Sequence, residues 1–414
     1  MKIAILSIGD EVIFGEIVDT NAAHISSRLY DVGLKVQRQL SVGDSDLDII
    51  EAIESLAGHA DFVIATGGLG PTVDDITARA AAKAAGRRLV LNDEALAHLH
   101  GFYKKAGRDL LPASEKQCLL PAKTHLIPNP SGTASGFVLA IKGTSFFFLP
   151  GVPVEMKRML EETVIPAIMA QNRQLQLVRT RVLKVFGLSE PEIENLLQGV
   201  ARPDAGLTIA YCVMFPEVQV KLRAEGKDEA VLAKLLAEGA ASAAGKLGDY
   251  LYGEGDDTID SVVARLFADK GVTLSLAESC TGGLVAKRIT DLAGSSAYFM
   301  EGAVTYSNAA KTRVLAVPAA LLEEQGAVSS AVAISMAKGI RRLSGSDIAL
   351  SVTGIAGPEG GTADKPVGTV FLALAGRSDS MSKRYNFFGD RERIRTITSF
   401  TAIDWLRRYL LTLP

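Results

Sequence analysis

The sequence predicts an α/β protein with three parts: a doubly wound parallel sheet, a small α+β linker domain and a second α/β domain. Strand and helix patterns alternate along the first part, which is typical of a parallel sheet with helices on both faces. The pattern changes at about residue 175, and a Gly- and Asp-rich stretch at 253–257 marks a further boundary. At about 150 residues per domain, the 414 residues fit two or three domains.

The first domain, residues 1–170, shows the element order of a doubly wound sheet. A buried strand over Lys2–Ile8 precedes a helix over Thr20–Asp31, which Asp19 or Thr20 caps. The later strands and helices are predicted, in chain order, at Leu34–Leu40, Asp46–Ala57, Phe62–Thr66, Asp75–Ala85, Ser145–Leu149 and Val154–Met169.

The second domain, residues 171–252, shows a βαββα pattern. A strand over Val178–Phe186 is followed by a capping box that starts at Ser189 and predicts a short helix. Alternating apolar and polar residues at 218–222 indicate a half-buried strand, and an Ala-rich helix follows over Asp228–Ala244.

The same segment is interpreted as a linker or interface domain rather than an RNA-binding one. A KH-type RNA-binding domain carries a Gly-x-x-Gly loop between two helices. The only such spacing in this segment, Gly245–Gly248, falls at the end of a predicted helix. We therefore expect no RNA binding here.

The third domain, residues 253–414, is again α/β. It begins with a helix and a strand that run into a Gly-rich turn and a further helix. The predicted elements, in chain order, are Ile259–Asp269, Val272–Ala277, Ala331–Leu343, Ile348–Val352, Val367–Leu374 and Arg393–Leu411.

Composition excludes several classes of protein. A formal net charge of -3 gives no general reason to bind nucleic acid. Three scattered cysteines cannot form a disulfide framework, which predicts a reducing cytoplasm. The start has no signal-peptide pattern, and no apolar run reaches the roughly 18 residues of a membrane span. All five histidines lie at or before His125, so chemistry beyond that point must work without histidine.

Acidic residues and a glycine-rich loop follow the strands of the first domain. Ligands of doubly wound sheets bind at the carboxyl ends of the strands. The carboxylates that follow the first three strands are Asp10, Asp44, Asp74 and Asp75, and the loop after the third strand holds Gly67, Gly68, Gly70 and Thr72. Glycines let backbone N–H groups approach phosphate, but carboxylates repel a diphosphate unless a divalent cation bridges them. The cluster therefore predicts a metal-assisted phosphate site.

A second loop, residues 129–136, supplies further small donors at Ser131, Gly132 and Thr133. Two simpler interpretations stay open at this point. Asp74 or Asp75 could cap the helix that follows, and the second loop could be an ordinary turn.

Four stretches of the first domain resemble the molybdopterin-binding (MoaB/MogA-like) domain, most closely the version in the CinA family of competence/damage-inducible proteins. They are Gly9–Glu11, Asp19–Asn21, Thr66–Asp75 with Thr77, and Asn129–Gly136. The resemblance implies pterin binding or, for the CinA branch, a metal-dependent ADP-ribose pyrophosphatase activity.

Ser279 lies where a predicted strand of the third domain turns into a helix. A nucleophile there is exposed, and backbone N–H groups at the helix start can hold an oxyanion. Serine needs an activating base, and a lysine with a pKa lowered by burial is the remaining common one. Lys311, directly after another predicted strand, and Lys287, on the helix after Ser279, are the candidates. Two alternatives stay open: Cys280 is the nucleophile, or Ser279 only caps its helix.

Other polar residues could assist this chemistry. Tyr306 and Ser307 carry hydroxyls that could relay a proton or orient the amine, and Thr353 could donate to an oxyanion or substrate. Arginines that open the last helix suit a substrate phosphate, although a solvated, salt-bridged helix face is the ordinary explanation for any one of them.

The C-terminal third, about residues 256–414, resembles the nicotinamide mononucleotide deamidase family. The stretches that carry the resemblance are Ala277–Gly283, Thr305–Asn308 with Lys311, Thr353–Pro358 and Gly389–Arg391. In that family a Ser–Lys pair hydrolyses the carboxamide and releases ammonia, which implies Ser279 as nucleophile, Lys311 as base and Tyr306 in support. The resemblance implies substrate binding by Cys280, Thr281, Gly282, Gly283, Ser307, Asn308, Thr353, Gly354, Arg391 and Arg395.

We therefore expect a cytoplasmic enzyme of pyridine-nucleotide salvage that acts on nicotinamide mononucleotide and ADP-ribose. The first domain would use a divalent cation and the third none, and the resemblance implies a homodimer. Since the sequence has no long apolar run and no basic cluster, we expect no membrane or direct nucleic-acid contact. Two other hypotheses stay open: the first domain is a pterin-binding or scaffolding module, or the chain is an interaction factor in competence or the DNA damage response.

Overall fold

The computed structural model describes residues 1–171 and 177–414. The chain forms two units: residues 1–179 with 225–233, and residues 180–224 with 234–414. The predicted boundary near 253 lies inside the second unit, and part of the predicted second domain, residues 172–176, lies outside the described residues. The division into three domains therefore stays a prediction.

The first unit has a mixed six-stranded sheet. The strands of the whole unit are β1 (Ile3–Ile8), β2 (Val36–Val42), β3 (Phe62–Thr66), β4 (Leu89–Leu91), β5 (Leu119–Pro121), β6 (His125–Ile127), β7 (Gly136–Ile141) and β8 (Thr144–Leu149). The sheet order is β2-β1-β3-β8-β7-β6, and β4 pairs with β5 separately. Strands β2, β1, β3 and β8 are parallel as predicted, whereas β7 and β6 are antiparallel. The two-residue link Lys142–Gly143 allows only an antiparallel hairpin.

The helices of this unit lie between its strands. They are α1 (Asp10–Ile13), α2 (Thr20–Asp31), α3 (Asp46–Leu56), α4 (Thr77–Ala84), α5 (Asp93–Ala106), α6 (Pro153–Met159) and α7 (Ile165–Ala170). Asp19 caps α2 as predicted, its carboxylate accepting from Ala22 N at 2.8 Å. Helix α4 begins two residues later than predicted and has Ile76 at its N-cap, so neither Asp74 nor Asp75 caps it.

Apolar residues cover both faces of this sheet. Along β1, Ala4, Leu6 and Ile8 contribute to one buried cluster. The alternate residues Ile3 and Ile5 contribute to the other. Burial on both faces explains why the strand is a continuous apolar run, and it leaves only the strand ends for polar chemistry.

The middle of the chain has the predicted βαββα order. Its elements are β9 (Leu177–Phe186), α8 (Glu190–Leu196), β10 (Leu207–Met214), β11 (Glu217–Gly226), α9 (Glu229–Leu247) and β12 (Leu251–Glu254), with the sheet order β10-β11-β9-β12. The capping box at Ser189 is present, with Glu192 accepting from the Ser189 backbone N–H at 2.7 Å. Strand β11 alternates buried and half-buried residues, as the pattern at 218–222 predicted.

The C-terminal part has a five-stranded sheet in the order β14-β13-β15-β16-β17. Its elements are α10 (Ile259–Lys270), β13 (Leu274–Glu278), α11 (Leu284–Thr290), β14 (Phe299–Val304), α12 (Asn308–Leu315), α13 (Ala319–Gln325), α14 (Ser330–Ser344), β15 (Ile348–Gly354), β16 (Thr369–Ala375), β17 (Ser380–Asn386) and α15 (Arg391–Thr412). Strands β14, β13 and β15 are parallel, and the others antiparallel. Within residues 1–171 and 177–414, no helix is long and apolar enough to span a bilayer.

Candidate active site

Ser279 follows β13 directly, at the turn that leads into α11. Gly282 and Gly283 in this turn have φ values of 61° and 94°, a left-handed conformation that favours glycine. Because β13 and β14 are parallel neighbours, their carboxyl ends meet at one edge of the sheet. The turn therefore holds Ser279 beside the loop that follows β14.

Lys311 reaches Ser279 from that neighbouring connection. Ser307 Oγ caps α12 by accepting from Ala310 N at 3.1 Å, and Lys311 lies one turn further along. Its side chain is 1% exposed, and Nζ donates to Ser279 Oγ at 3.1 Å. The structure thus brings together the two residues that the resemblance implied as nucleophile and base.

Two main-chain carbonyls hold the amine of Lys311. Nζ donates to Thr305 O at 2.8 Å and to Tyr306 O at 3.4 Å. Burial lowers the pKa of Lys311 because the ammonium loses its hydration. A neutral amine has two N–H bonds and one lone pair. In that neutral form both N–H bonds can go to these carbonyls. The 3.1 Å contact with Ser279 Oγ is then one in which the nitrogen lone pair accepts the hydroxyl proton.

The competing candidates do not fit this role. The Lys287 side chain is 65% exposed and forms an ion pair with Asp291, so its ammonium is bound to a surface carboxylate instead of Ser279. Burial raises the pKa of the Cys280 thiol to about 12, so the thiolate needed for attack does not form near neutral pH. The structure therefore favours Lys311 as base and argues against Cys280 as nucleophile.

Sequence reasoning missed the role of Glu278, the residue before Ser279. Its buried carboxylate accepts from the backbone N–H groups of Gly283, Val285 and Ala286 at 3.0, 3.2 and 2.8 Å. These bonds fix the turn and satisfy the start of α11. Because Glu278 occupies these three N–H groups, an oxyanion at this turn would need other donors. An acidic residue directly before a Gly-Gly helix start was the available signal.

The hydroxyls of Tyr306 and Ser307 do not orient the amine, which corrects a prediction. Tyr306 is 60% exposed, and its Oη accepts from Arg391 Nη2 at 2.8 Å. Ser307 Oγ serves as the cap of α12. The amine is held by main-chain oxygens instead, including that of Tyr306 itself.

Two arginines from the start of α15 border the site. Arg391 Nη1 donates to Gly357 O at 2.8 Å, and Arg395 Nη2 donates to Thr281 O at 2.7 Å. A Cβ on Gly282 would lie 3.3 Å from Arg395 Nη2, so the missing side chain leaves room for the guanidinium. Neither arginine forms an ion pair with a carboxylate in the described part of the chain. Both guanidinium groups are therefore available to bind an anion.

The prediction that the Thr353 hydroxyl donates to substrate is wrong. Thr353 is buried, and its Oγ1 donates to Ala327 O at 2.8 Å. A Cβ on Gly354 would lie 2.7 Å from Val370 Cγ2, so this glycine allows β15 to pack against β16. Asn308 is exposed at the first position of α12.

Two buried hydroxyls next to the Ser–Lys pair have no partner. Thr281 Oγ1 and Thr305 Oγ1 make no hydrogen bond to any described residue. An unpaired buried hydroxyl costs about 1–3 kcal/mol. Both residues touch the site through their carbonyls, Thr305 at Lys311 and Thr281 at Arg395. They are therefore candidate donors to a bound molecule, and sequence reasoning singled out only Thr281.

In the first unit, Asp10 and Asp44 meet at the ends of β1 and β2. Asp10 N donates to Asp44 Oδ2, and Asp44 N donates to Asp10 Oδ1, both at 3.0 Å. Burial raises the pKa of Asp44, and the nearby carboxylates of Asp10, Glu11 and Asp74 raise it further. A hard divalent cation would relieve this negative charge, and its preferred ligands are carboxylate oxygens.

The other two predicted metal ligands are placed differently. Asp75 Oδ2 accepts from Thr72 N at 2.8 Å and from Thr72 Oγ1 at 2.6 Å, so this carboxylate closes its own loop. Asp74 is exposed, and the nearby Thr72 side chain lowers its pKa. Within the described residues, no three His, Cys, Asp or Glu side chains are grouped to hold one ion. Of the four predicted metal ligands, Asp10 and Asp44 are the two that hydrogen bonds join to each other.

The glycines of the loop after β3 make room for neighbouring protein atoms, while phosphate binding by their N–H groups stays a prediction. A Cβ at each would lie within 2.5 Å of another protein atom: the Ile8 carbonyl for Gly67, the Thr77 hydroxyl for Gly68 and the Asp75 carboxylate for Gly70. With the hydroxyl of Thr72 also bound to Asp75, the side chains of this loop are committed to one another.

The second predicted phosphate loop is likewise held by internal bonds. Its contacts are Ser131 N to Asn129 Oδ1 at 3.1 Å, Arg158 Nη1 to Ser131 Oγ at 3.4 Å, Gly132 O to His98 Nε2 at 3.0 Å and Thr133 Oγ1 to Gln117 Oε1 at 2.9 Å. The structure therefore favours the simpler interpretation of an ordered turn.

Three family models match the chain in succession. Residues 4–170 match a probable molybdopterin binding domain, residues 180–253 the damage-inducible protein CinA KH domain, and residues 256–410 the CinA C-terminal domain. The KH description corrects our exclusion of that class, which rested on a missing Gly-x-x-Gly loop. The βαββα order is present without that loop.

CinA-like proteins match along the whole chain. The CinA-like protein of Geotalea uraniireducens is 64% identical over 413 residues, covering 100% of this chain and 98% of its own. That of Geobacter sulfurreducens is 60% identical over 412 residues, covering 100% of both. The crystal structure of competence damage-inducible protein A from Klebsiella pneumoniae is 39% identical, covers 38% of this chain and 97% of its own, and has a TM-score of 0.37. The chain belongs to the family of CinA-like proteins.

Proposed function

We propose that the Ser279 site hydrolyses the carboxamide of nicotinamide mononucleotide to nicotinic acid mononucleotide and ammonia. The observation that carries the proposal is the 3.1 Å hydrogen bond between Lys311 Nζ and Ser279 Oγ. A nucleophile within reach of a buried base is the arrangement that covalent catalysis requires. The choice of substrate rests on the resemblance of four sequence stretches to the deamidase family.

In the proposed reaction, the Ser279–Lys311 pair carries out every proton transfer. Lys311 accepts the hydroxyl proton while Ser279 Oγ attacks the carboxamide carbon. The amide nitrogen then takes that proton from Lys311, and the C–N bond breaks to release ammonia and leave a seryl ester. Lys311 next deprotonates a water, which attacks the ester, and the proton passes to the departing Ser279 Oγ.

The remaining groups of the site would bind the substrate. Arg391 and Arg395 carry unpaired charge beside the nucleophile, and a guanidinium matches a phosphate in shape and charge. The hydroxyls of Thr281 and Thr305 lack partners, and either could donate to the carboxamide oxygen as it becomes negative.

Ammonia release from nicotinamide mononucleotide by the full-length protein tests this proposal. Ser279→Ala and Lys311→Ala should each lower kcat/KM by about 10³-fold or more. Lys287→Ala is the matched control, since it removes a nearby lysine that is exposed, and it should leave the rate unchanged. Full activity in Lys311→Ala would overturn the proposal.

We propose a second activity for the first unit, divalent-cation-dependent hydrolysis of ADP-ribose to AMP and ribose 5-phosphate. The supporting observation is the raised pKa of Asp44 among the carboxylates of Asp10, Glu11 and Asp74. Asp10 and Asp44 would hold the cation, which when bound supplies charge neutralisation for the diphosphate. Such an enzyme would serve, with the deamidase, in cytoplasmic pyridine-nucleotide salvage, and we expect a homodimer.

AMP formation from ADP-ribose with added Mg²⁺ or Mn²⁺ tests the second activity. Asp10→Asn and Asp44→Asn should abolish it, because each removes a charge from the cation pair. Asp75→Asn should have a smaller effect, since Asp75 is bound by Thr72. Unchanged turnover in both Asp10→Asn and Asp44→Asn would show that this pair does not hold the cation. No AMP formation by the unaltered protein would leave the pterin-binding or scaffolding hypothesis in place of the proposed activity.

A further inference from the structure

A cleft of about 520 Å³ lies in the second unit, between the middle segment and the C-terminal sheet. None of its lining residues belongs to the Ser279 site. Its size falls within the roughly 300–1,000 Å³ typical of small-molecule sites. Helix α15 contributes to both places, with Arg391 and Arg395 at the Ser279 site and Trp405 in the cleft.

Aromatic side chains dominate this cleft, although aromatic residues make up only 6% of the chain. Five of them line it: Phe186, Tyr250, Tyr385, Phe387 and Trp405. The rings of Tyr385 and Phe387 are stacked with centroids 5.5 Å apart. Except for Phe186, these residues are at least partly exposed. Phe186 packs against Phe400, Tyr385 against Phe387, and Arg408 lies over the Tyr250 ring, which leaves the Trp405 ring for a planar ligand.

The charges around the cleft are mainly positive. Asp404 is the one carboxylate among the lining residues, and it is bound by Arg407 at 2.8 Å and Arg408 at 2.7 Å. Lys383 Nζ lies 5.2 Å from the Tyr385 ring centroid and has no ion pair with any described carboxylate. The cleft therefore presents one ammonium group that no described carboxylate neutralises.

We propose that this cleft is a nucleotide-binding site, with the base stacked on the Trp405 ring and the phosphate at Lys383. Bases stack on aromatic side chains irrespective of sequence, and an unpaired lysine is a point charge suited to phosphate. The two features lie side by side, as base and phosphate do in a mononucleotide. This site is separate from the Ser279 site and does not rest on the activity proposed there.

Trp405 gives a direct measurement, because it is the only tryptophan in the chain. AMP added to the full-length protein should quench its fluorescence saturably. Adenosine or inorganic phosphate alone should bind at least about tenfold more weakly, because each lacks one half of the recognition. Absence of quenching by AMP would overturn the proposal, as would tight binding of an oligoadenylate without binding of AMP.

Variants locate the binding. Lys383→Met should weaken AMP binding by about tenfold or more, whereas the matched control Arg384→Met, at the next position of β17, should change it by less than about twofold. Arg395→Ala should also leave AMP binding unchanged, because Arg395 borders the Ser279 site. Quenching that ignores Lys383→Met, or that disappears in Arg395→Ala, would contradict a site in the cleft.

Discussion

The two candidate active sites differ in how much of their chemistry the protein supplies. At the Ser279–Lys311 pair, nucleophile and base are hydrogen-bonded at 3.1 Å and buried. At the Asp10–Asp44 pair, the protein supplies only negative charge, which further carboxylates increase. We therefore expect the first site to work with groups of the protein alone and the second to require a divalent cation.

A comparison of two carboxylates shows the cause of this difference. Glu278 accepts from three backbone N–H groups within hydrogen-bonding distance, which offset the cost of burying its charge. Asp44 accepts from one backbone N–H group, that of Asp10, and faces carboxylates of the same sign. A buried carboxylate thus stabilises a turn in one region, whereas in the other region the negative charge of the carboxylates is not neutralised by the protein.

The largest expected effect is the loss of deamidase activity when the buried base Lys311 is replaced, compared with replacement of the exposed Lys287. Burial lowers the pKa of Lys311 from the ordinary 10.5. The rate of deamidation should therefore rise with pH as the amine loses its proton, and the midpoint of this rise should lie below pH 10.5. Arginine stays protonated, so Lys311→Arg should lose about 10²–10⁴-fold in kcat/KM at every pH. Lys287→Arg is the control. A wild-type profile centred at or above the ordinary lysine value would contradict a desolvated base.

Removing divalent cations should separate the two regions. With EDTA, ADP-ribose hydrolysis should fall by about 10²-fold or more because the diphosphate loses its bridging charge. Nicotinamide mononucleotide deamidation should not change, since both reacting groups belong to the protein. Product formation is measured for both substrates in the same sample, and restored Mg²⁺ should recover only the first. Equal loss of both activities would remove the contrast between the sites.

A smaller effect is expected from the unpaired hydroxyls. Thr305→Val or Thr281→Val should lower kcat by about tenfold if the hydroxyl donates to the reacting carboxamide. Stability should not fall, because valine removes a buried hydroxyl that has no partner, and a gain of up to about 1–3 kcal/mol is possible. Denaturant unfolding measures the second quantity. A variant that loses stability together with activity would indicate a structural role instead.

The Ser–Lys pair could be predicted because its signals are local. A serine at a strand-to-helix turn, a domain without histidine and a lysine after the next strand are all visible in the sequence. The groups that complete the site are not. The carbonyls that hold Lys311 and the N–H groups that hold Glu278 belong to the main chain, which has the same chemistry at every position. Thr353 was misassigned because its partner, Ala327 O, is 26 residues away.

The positions of many strands and helices could also be predicted from local sequence patterns. Periodicity placed the strands and helices to within a few residues, and the parallel core followed from their alternation. Strand β8 was predicted, but its antiparallel pairing with β7 was missed, and so was helix α5. The start of α4 was placed too early because Asp75, which has the usual character of a cap, binds Thr72 instead.

The smallest expected effect concerns Cys280, which lies between two residues of the first site. Burial raises the pKa of its thiol to about 12, just as burial raises the pKa of Cys118 in the first unit to about 11. Cys280→Ala should therefore keep deamidase activity within about twofold and cost about 1 kcal/mol of stability through lost packing. Iodoacetamide at neutral pH should modify only half-buried Cys212, which mass spectrometry of the intact chain detects. Alkylation of Cys280 with loss of activity would show that the site is more open than its burial indicates, and the contrast with the acidic pair would then rest on Lys311 alone.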